Sequence, residues 1–363
     1  MRKIYIFGAH SRALTLAQYL KTTIPTITVE AFLVDNDESN PAIAAGAPVL
    51  KLNSQPDCEL NTGYTVYIAT KGVYHASVIS KLISMGFRAD NIIPVTPQLD
   101  IELRNEYLKI YYENRGREFC KIEKYKCLPI EKENLSGISL YVAKSIYDNA
   151  SGVRYDLQTY EKEIQVGAAL TDVSICEASD DTEDNISGKN RQFCELTALY
   201  WVWKNSREDI VGLEHYRRHF ILPDNWLSIM QSNNIDVILP TPLYVAPSLG
   251  ENYRSRHVEE DWHCMMSIIR ELYPDRYEAA NAFFENTSVY SPCNMFIMKK
   301  AVLDEYCEWL FPILFECEKR IGQHGDTYQN RYPGFMSERL LSFYFDYYRD
   351  KYTVVYADKN FLN

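Results

Sequence analysis

Short apolar runs alternate with segments of helical periodicity from the first residues onward. That alternation restricts the chain to α/β architectures built on largely parallel sheets with right-handed crossovers. Lys3-Ile4-Tyr5-Ile6-Phe7-Gly8 has the pattern of a buried strand, followed by a helix over about 11–20; residues 29–35 form a second strand that ends in Asp35. A strand at 65–70, a helix over 74–85, a strand at 92–95 and a polar helix over 99–115 complete this series. A Lys/Glu-rich stretch over 121–133 then reads as a linker, so the chain divides into residues 1–122, a linker at 123–137, and residues 138–363. The second series opens with a strand at 138–143 and adds strands at 210–213, 235–239 and 293–298. Its helix at 192–204 aligns Phe193, Leu196, Leu199, Tyr200 and Trp203 on one face. Further helices are expected over 302–320, where Pro312 should kink or end the first half, and over 337–348.

A length of 363 residues suits two cores better than one. No apolar run approaches the ~20 residues needed to span a bilayer, and the apolar N-terminal run is interrupted at Gly8 too early for a signal peptide. Nine cysteines scattered from Cys58 to Cys317, with no CxxC pair, suggest reduced thiols of a cytoplasmic protein, neither a disulfide framework nor a zinc site. The net charge of −11 weighs against general nucleic-acid binding, which needs a basic face.

The N-terminal series has Rossmann-like placement, with a first strand ending at Gly8 and a second at Asp35. Ala9, His10, Ser11, Arg12 and Ala13 stand where a glycine fingerprint would let a pyrophosphate approach the turn, so a structural or subunit-docking role is the better reading. This also weighs against a nucleotide-sugar oxidoreductase.

Several polar constellations in residues 138–363 have the residue types that a nucleotide-linked substrate requires. Asp184 and Asn185 lie in a polar loop before a helix, suited to a base or ribose. Ser187, Lys189 and Asn190 lie at that helix's start, where free N–H groups and the dipole favour phosphate. The bland alternative is an Asn190 cap and a solvated acidic loop over 180–184. Glu195, in the first turn, is either a donor-sugar ligand or a carboxylate favoured by the dipole. Glu214 and His215 end a strand and are followed by Arg217 and Arg218. One carboxylate and one imidazole make a poor magnesium site, although manganese or magnesium held by Glu214 and His215 stays open. Forked hydrogen bonds from the arginines would neutralise a diphosphate without metal. His257 and Asp261 share the i, i+4 spacing of one helix face, and Asp261 is a candidate base, with Glu259 and Glu260 behind it. Asn294 is the polar member of an apolar strand. Glu338 and Arg339, at a helix start, either border a substrate pocket or pair with neighbours.

These blocks, Asp184-Asn185-Ile186-Ser187, Cys194-Glu195-Leu196-Thr197-Ala198-Leu199-Tyr200-Trp201, Gly212-Leu213-Glu214-His215-Tyr216-Arg217-Arg218, Asn294-Met295-Phe296-Ile297-Met298 and Gly334-Phe335-Met336-Ser337-Glu338-Arg339, resemble in order those of a bacterial family of capsular and exopolysaccharide glycosyltransferases. The resemblance covers residues 138–349. It implies a two-domain α/β protein: an N-terminal Rossmann-like parallel sheet and a C-terminal GT-A-like glycosyltransferase domain. A hexose or furanose would move from a nucleoside-diphosphate sugar, a UDP-sugar favoured, to a saccharide acceptor that is typically lipid-linked at the inner face of the cytoplasmic membrane. Peripheral membrane association and self-association are compatible with that setting. It assigns Asp261, Glu338, Arg217 and Arg218 to catalysis. Asp184, Asn185, Ser187, Lys189, Asn190, Glu195, Glu214 and His215 go to the donor, and His257, Asn294 and Arg339 to the acceptor side, with no metal required. The chain departs from the family at Ala143-Lys144, where a His-Lys pair is usual, and at Pro292-Cys293, which replaces a tyrosine. The rival reading is a non-catalytic sugar-nucleotide-binding or scaffold subunit of a polysaccharide assembly complex.

Overall fold

The computed structural model of the chain describes residues 1–35, 39–52, 60–127, 137–148 and 155–360. They fall into two compact units, Met1–Phe119 and Cys120–Asn363. The first unit runs β1 (Arg2–Phe7), α1 (Ser11–Thr23), β2 (Ile27–Val34), β3 (Ile43–Ala44), β4 (Ala47–Lys51), β5 (Thr65–Ile68), α2 (His75–Ser84), β6 (Ile92–Pro94) and α3 (Pro97–Glu113). Its sheet has the order β3-β4-β2-β1-β5-β6, parallel except for the β3–β4 pair. The apolar run of β1 is continuous because both faces are covered. Ile4 and Ile6 pack with Ala13, Leu16 and Leu20 of α1, while Tyr5 and Phe7 pack with Val78 and Leu82 of α2. Asp35, just past β2, is engaged by Lys81 at 3.2 Å, which occupies the carboxylate that a Rossmann ribose contact would use.

The second unit runs β7 (Ile138–Lys144), β8 (Glu161–Gln165), β9 (Ala178–Ser179), α4 (Asn190–Phe193), α5 (Leu196–Asn205), β10 (Ile210–His215), β11 (Phe220–Ile221), α6 (Trp226–Ser232), β12 (Val237–Pro240) and β13 (Leu243–Tyr244). It continues through α7 (Leu249–Arg254), α8 (Glu259–Leu272), α9 (Pro274–Asn286), β14 (Val289–Tyr290), β15 (Phe296–Lys299), α10 (Lys300–Ile321), α11 (Tyr332–Tyr347) and β16 (Val354–Lys359). Its main sheet has the order β11-β16-β12-β15-β10-β7-β8-β9. β15 is antiparallel to both β10 and β12, inside an otherwise parallel centre. Val211 and Leu213 of β10 face the core built with α5, α8, α10 and α11, whereas Ile210 joins α6 on the other face. Gly212 between them is required by packing: a Cβ there would lie 2.8 Å from Leu140 Cγ and 2.9 Å from the Phe296 carbonyl oxygen.

Several expectations change in three dimensions. The helix expected at 192–204 is split at Cys194 (φ 51°), because the Asn190 side chain donates to the Cys194 carbonyl and to Thr197 Oγ1 and turns the chain there. Pro312 does not end α10; Trp309, Leu310, Phe311, Ile313 and Leu314 around it are all buried. Apolar burial of about 1.5–3 kcal/mol per large side chain offsets the ~3 kcal/mol an internal proline costs. The strand expected from residue 293 begins only at Phe296, since Cys293 (φ 77°) and Asn294 (φ 49°) are left-handed. Lys121 and Ile122, on the N-terminal side of the boundary expected at 122, belong to the second unit, which begins at Cys120: Ile122 is fully buried in it, and Lys121 pairs with Asp358. Residues 128–136 of the expected linker, and Cys58, lie outside the described residues.

Candidate active site

The chain leaves β7 toward β8 on one side and returns to β10 on the other, so the carboxyl ends of β7 and β10 flank a topological switch point, where open α/β sheets bind ligands. At that point the strand ends in a tight turn. The His215 N–H donates to the Arg218 carbonyl and the Arg218 N–H to the His215 carbonyl, while the Tyr216 N–H donates to Ala143 at the end of β7. Arg217 and Arg218 are therefore on a turn and not on a continuing strand. Arg217 lies over the Tyr216 ring at 4.8 Å and acts electrostatically on Asp148, which is also hydrogen-bonded to Tyr216. Burial raises the Asp148 carboxyl, opposed by hydrogen bonds from the Ser145 N–H and Tyr216 and by the Arg217 charge. The charge of Arg218 is felt at Glu338 and His215.

The loop before β15 faces this turn, because β15 pairs Phe296 with Leu213 in antiparallel register. His215 Nε2–H donates to the Cys293 carbonyl at 2.6 Å, since a carbonyl can only accept. The Cys293 N–H donates to Glu338 Oε1 at 2.6 Å, and Asn294 Nδ2 donates to Glu195 Oε1 at 2.7 Å and to the Gly334 carbonyl at 3.2 Å. Two successive non-glycine residues at positive φ cost on the order of 1–2 kcal/mol each, and such strain concentrates at functional sites. Here it aims one peptide N–H and one side-chain amide at two different carboxylates. Asn294 is 2 % exposed, and its Oδ1 has no hydrogen-bond partner among the described residues. Burial pushes the Glu338 carboxyl up, against the opposing effects of the Arg339 charge and the Cys293 N–H, and Glu195 adds like-charge repulsion. Burial likewise lowers His215, which keeps the imidazole neutral.

Among the sequence candidates, Glu195, His215, Arg217, Arg218, Asn294 and Glu338 are thus brought together. The others are held elsewhere. Ser187 is fully buried, donating to Asp180 and accepting from the Ala169 N–H. Asp180 is not solvated; it is fully buried and also accepts from the Gly167 and Ala168 N–H groups. Asn185 ties its own loop through the Asp181 and Glu183 carbonyls, and Asp184 accepts from the Tyr200 hydroxyl. Lys189 pairs with Glu318 at 2.6 Å, Lys144 with Glu163 at 3.0 Å, and Asn190 is used at the Cys194 break.

Glu214 and His215 cannot chelate one ion together. Alternation along β10 sends them to opposite faces, and Glu214, 1 % exposed, meets His219 and the Phe220 N–H. His257 precedes α8, so the i, i+4 relation to Asp261 is not a helical one. His257 stacks on Phe335 at 4.1 Å, and burial, with Arg339 next, lowers it to about 4. Asp261, 2 % exposed, is bound to His324 at 2.7 Å, which removes it as a free base. Glu259 is exposed and pairs with His263. Arg339 is sealed between Tyr253 and Tyr290 and donates to the Phe335 carbonyl and Asn252.

Asp148 and Tyr216 were missed by sequence reasoning. The signal available for Asp148 was its place shortly after the β7 end at the switch point. Arg331 is a further cation near the site, its Nε donating to Cys194 Sγ at 3.0 Å beside Glu195.

A family model described as "Domain of unknown function (DUF4422)" matches residues 153–349, more than half of the chain. Among solved structures, the apo structure of the bifunctional glycosyltransferase WbbM is similar, with 27 % sequence identity and a TM-score of 0.54. The likeness covers 62 % of this chain and 45 % of that one, so the chain spans less than half of WbbM's length there. No curated protein sequence matches the chain. The two-unit α/β fold, with a Rossmann-like sheet and a GT-A-like second unit, agrees with the architecture expected from the sequence.

Proposed function

We propose that this chain, which belongs to the DUF4422 family, is a glycosyltransferase that moves a sugar from a nucleoside-diphosphate sugar to a saccharide acceptor. The similarity to WbbM supports the reaction class. The observation that carries the reading is the Cys293–Asn294 corner, which holds Glu338 and Glu195 opposite the turn of Arg217 and Arg218 at the switch point. The arginines neutralise the departing diphosphate through forked hydrogen bonds, so magnesium or manganese is not needed on that face. Glu338, with its raised pKa, takes the acceptor proton as general base. Glu195 and Asn294 Oδ1, which has no hydrogen-bond partner among the described residues, read hydroxyls of the sugar that is transferred. His215 stays neutral and fixes the corner through Cys293. A UDP-sugar is the favoured donor, and a lipid-linked saccharide in capsular or exopolysaccharide synthesis the favoured acceptor.

Calorimetry with UDP, GDP, CDP and dTDP sugars, followed by transfer assays on saccharide acceptors, tests the reading. A nucleotide sugar should bind the wild type and bind Arg218→Ala more weakly. Donor binding with no turnover on any acceptor would instead mark a non-catalytic sugar-nucleotide-binding subunit, and no binding of any nucleotide sugar would end the proposal.

A further inference from the structure

On the sheet face opposite the candidate active site, Glu161 of β8, Glu214 of β10 and His219 converge. They are 8 %, 1 % and 2 % exposed, and one ligand atom from each lies within 4.8 Å of the other two. Each carboxylate has its outward oxygen held by a backbone donor: the Gln158 N–H on Glu161 Oε2 and the Phe220 N–H on Glu214 Oε1, both at 2.7 Å. The other two oxygens and His219 Nδ1 face one another, at 3.3 Å for Glu161 Oε1 and 3.2 Å for Glu214 Oε2, and Glu161 Oε1 also accepts from the Tyr155 hydroxyl.

We propose that Glu161, Glu214 and His219 form a structural site for a divalent transition-metal cation of the zinc class. Three potential ligand atoms lie within 4.8 Å of one another, and one imidazole nitrogen is shared between two carboxylate oxygens. One dication neutralises both carboxylates, whereas without it the buried cluster must share protons among its three acceptor atoms. Zinc bonds of about 2.0–2.1 Å in tetrahedral geometry place ligand atoms roughly 3.3–3.4 Å apart, which matches the two separations.

Imidazole with carboxylate selects zinc-class ions over magnesium or calcium. The backbone N–H groups on the outward oxygens, and the Tyr155 hydroxyl donating to Glu161 Oε1 at 3.0 Å, are the outer contacts that orient metal ligands. The Tyr155 ring covers His219 at 3.6 Å.

The site has a structural consequence. Glu214 and His219 bracket the turn bearing His215, Tyr216, Arg217 and Arg218, so an ion between them and Glu161 pins that turn to β8 from behind. This does not rest on the glycosyltransferase reading, because the ion is on the other face from His215.

The test uses the full chain, dialysed with zinc chloride and then freed of excess. About one zinc per chain should remain, as a preformed buried site retains metal. Its X-ray absorption edge should show nitrogen and oxygen neighbours only. Chelation should lower the thermal midpoint of the wild type, and Glu214→Gln with His219→Gln should retain no zinc. If the wild type retains no zinc, or shows sulfur neighbours from the cysteines, or loses no thermal stability on chelation, the site is a proton-sharing triad and the proposal fails. The absorption and chelation results on the wild type stand even if the double variant does not fold.

Discussion

Asn294 donates to Glu195 at 2.7 Å across residues that are far apart in sequence, while its own Oδ1 is buried without a partner among the described residues. The amide has one polar group committed and one in reserve, at a left-handed backbone position. Replacement by Gly should therefore keep the backbone geometry and lose the function. Replacement by Ala should also lose about 1–2 kcal/mol of stability from the strained φ. Denaturant unfolding and transfer kinetics on both variants separate the two effects; an active Asn294→Gly would remove Asn294 from the site.

Glu338→Gln keeps the acceptor for the Cys293 N–H and removes the base. Turnover should fall about a hundredfold or more, the usual range for a lost general base, with donor affinity in calorimetry nearly unchanged. In the wild type the rate should rise with pH through the raised pKa of Glu338, and that limb should vanish in the variant. Because the folded pKa is raised, protonation favours the fold: this contribution is present below the unfolded carboxyl range and lost as pH rises through the folded value. Glu338→Gln should then be at least as stable as the wild type near neutral pH.

Substitutions in the two polar groups should diverge. Arg217→Ala and Arg218→Ala should weaken nucleotide-sugar binding and lower turnover. Lys189→Ala, which breaks an exposed ion pair with Glu318, should cost at most about 1 kcal/mol of stability and leave binding near wild type. Transfer should also proceed without added magnesium or manganese. Donor affinity lost with Lys189 and kept without Arg218 would move the phosphate site to the start of α4.

Gly212→Ala tests the close packing behind the site. The new Cβ meets Leu140 and the Phe296 carbonyl inside 3 Å, and overpacking of this kind costs typically about 1–3 kcal/mol. Thermal unfolding should show the loss, and the β10–β15 register that places Cys293 opposite His215 should loosen with it. An unchanged melting temperature would show that the sheet has room that the geometry denies.

The strand–helix alternation was legible because it depends on local periodicity. β1, α1, β5, α2, β7 and β10 form near where the apolar patterns put them. Short or charged strands such as β8, Glu-Lys-Glu-Ile-Gln, carry little pattern of their own and form because neighbouring strands supply the hydrogen bonds. The sequence candidates include Glu195, His215, Arg217, Arg218, Asn294 and Glu338, but equally Ser187, Asp261 and Arg339, which the fold buries in other contacts.

By itself the sequence determined the α/β class, the two series of strands and helices and the set of polar residues from which a site could be built, since these follow from spacing and residue chemistry along the chain. Only the tertiary structure decided which of those residues meet. Adjacent Glu214 and His215 were separated to opposite faces by strand alternation, whereas Glu195, Asn294 and Glu338, distant in sequence, were joined by the antiparallel register of β15 and the left-handed corner before it. Contact between distant residues depends on register and backbone handedness, and neither is written in the residues that make the contact.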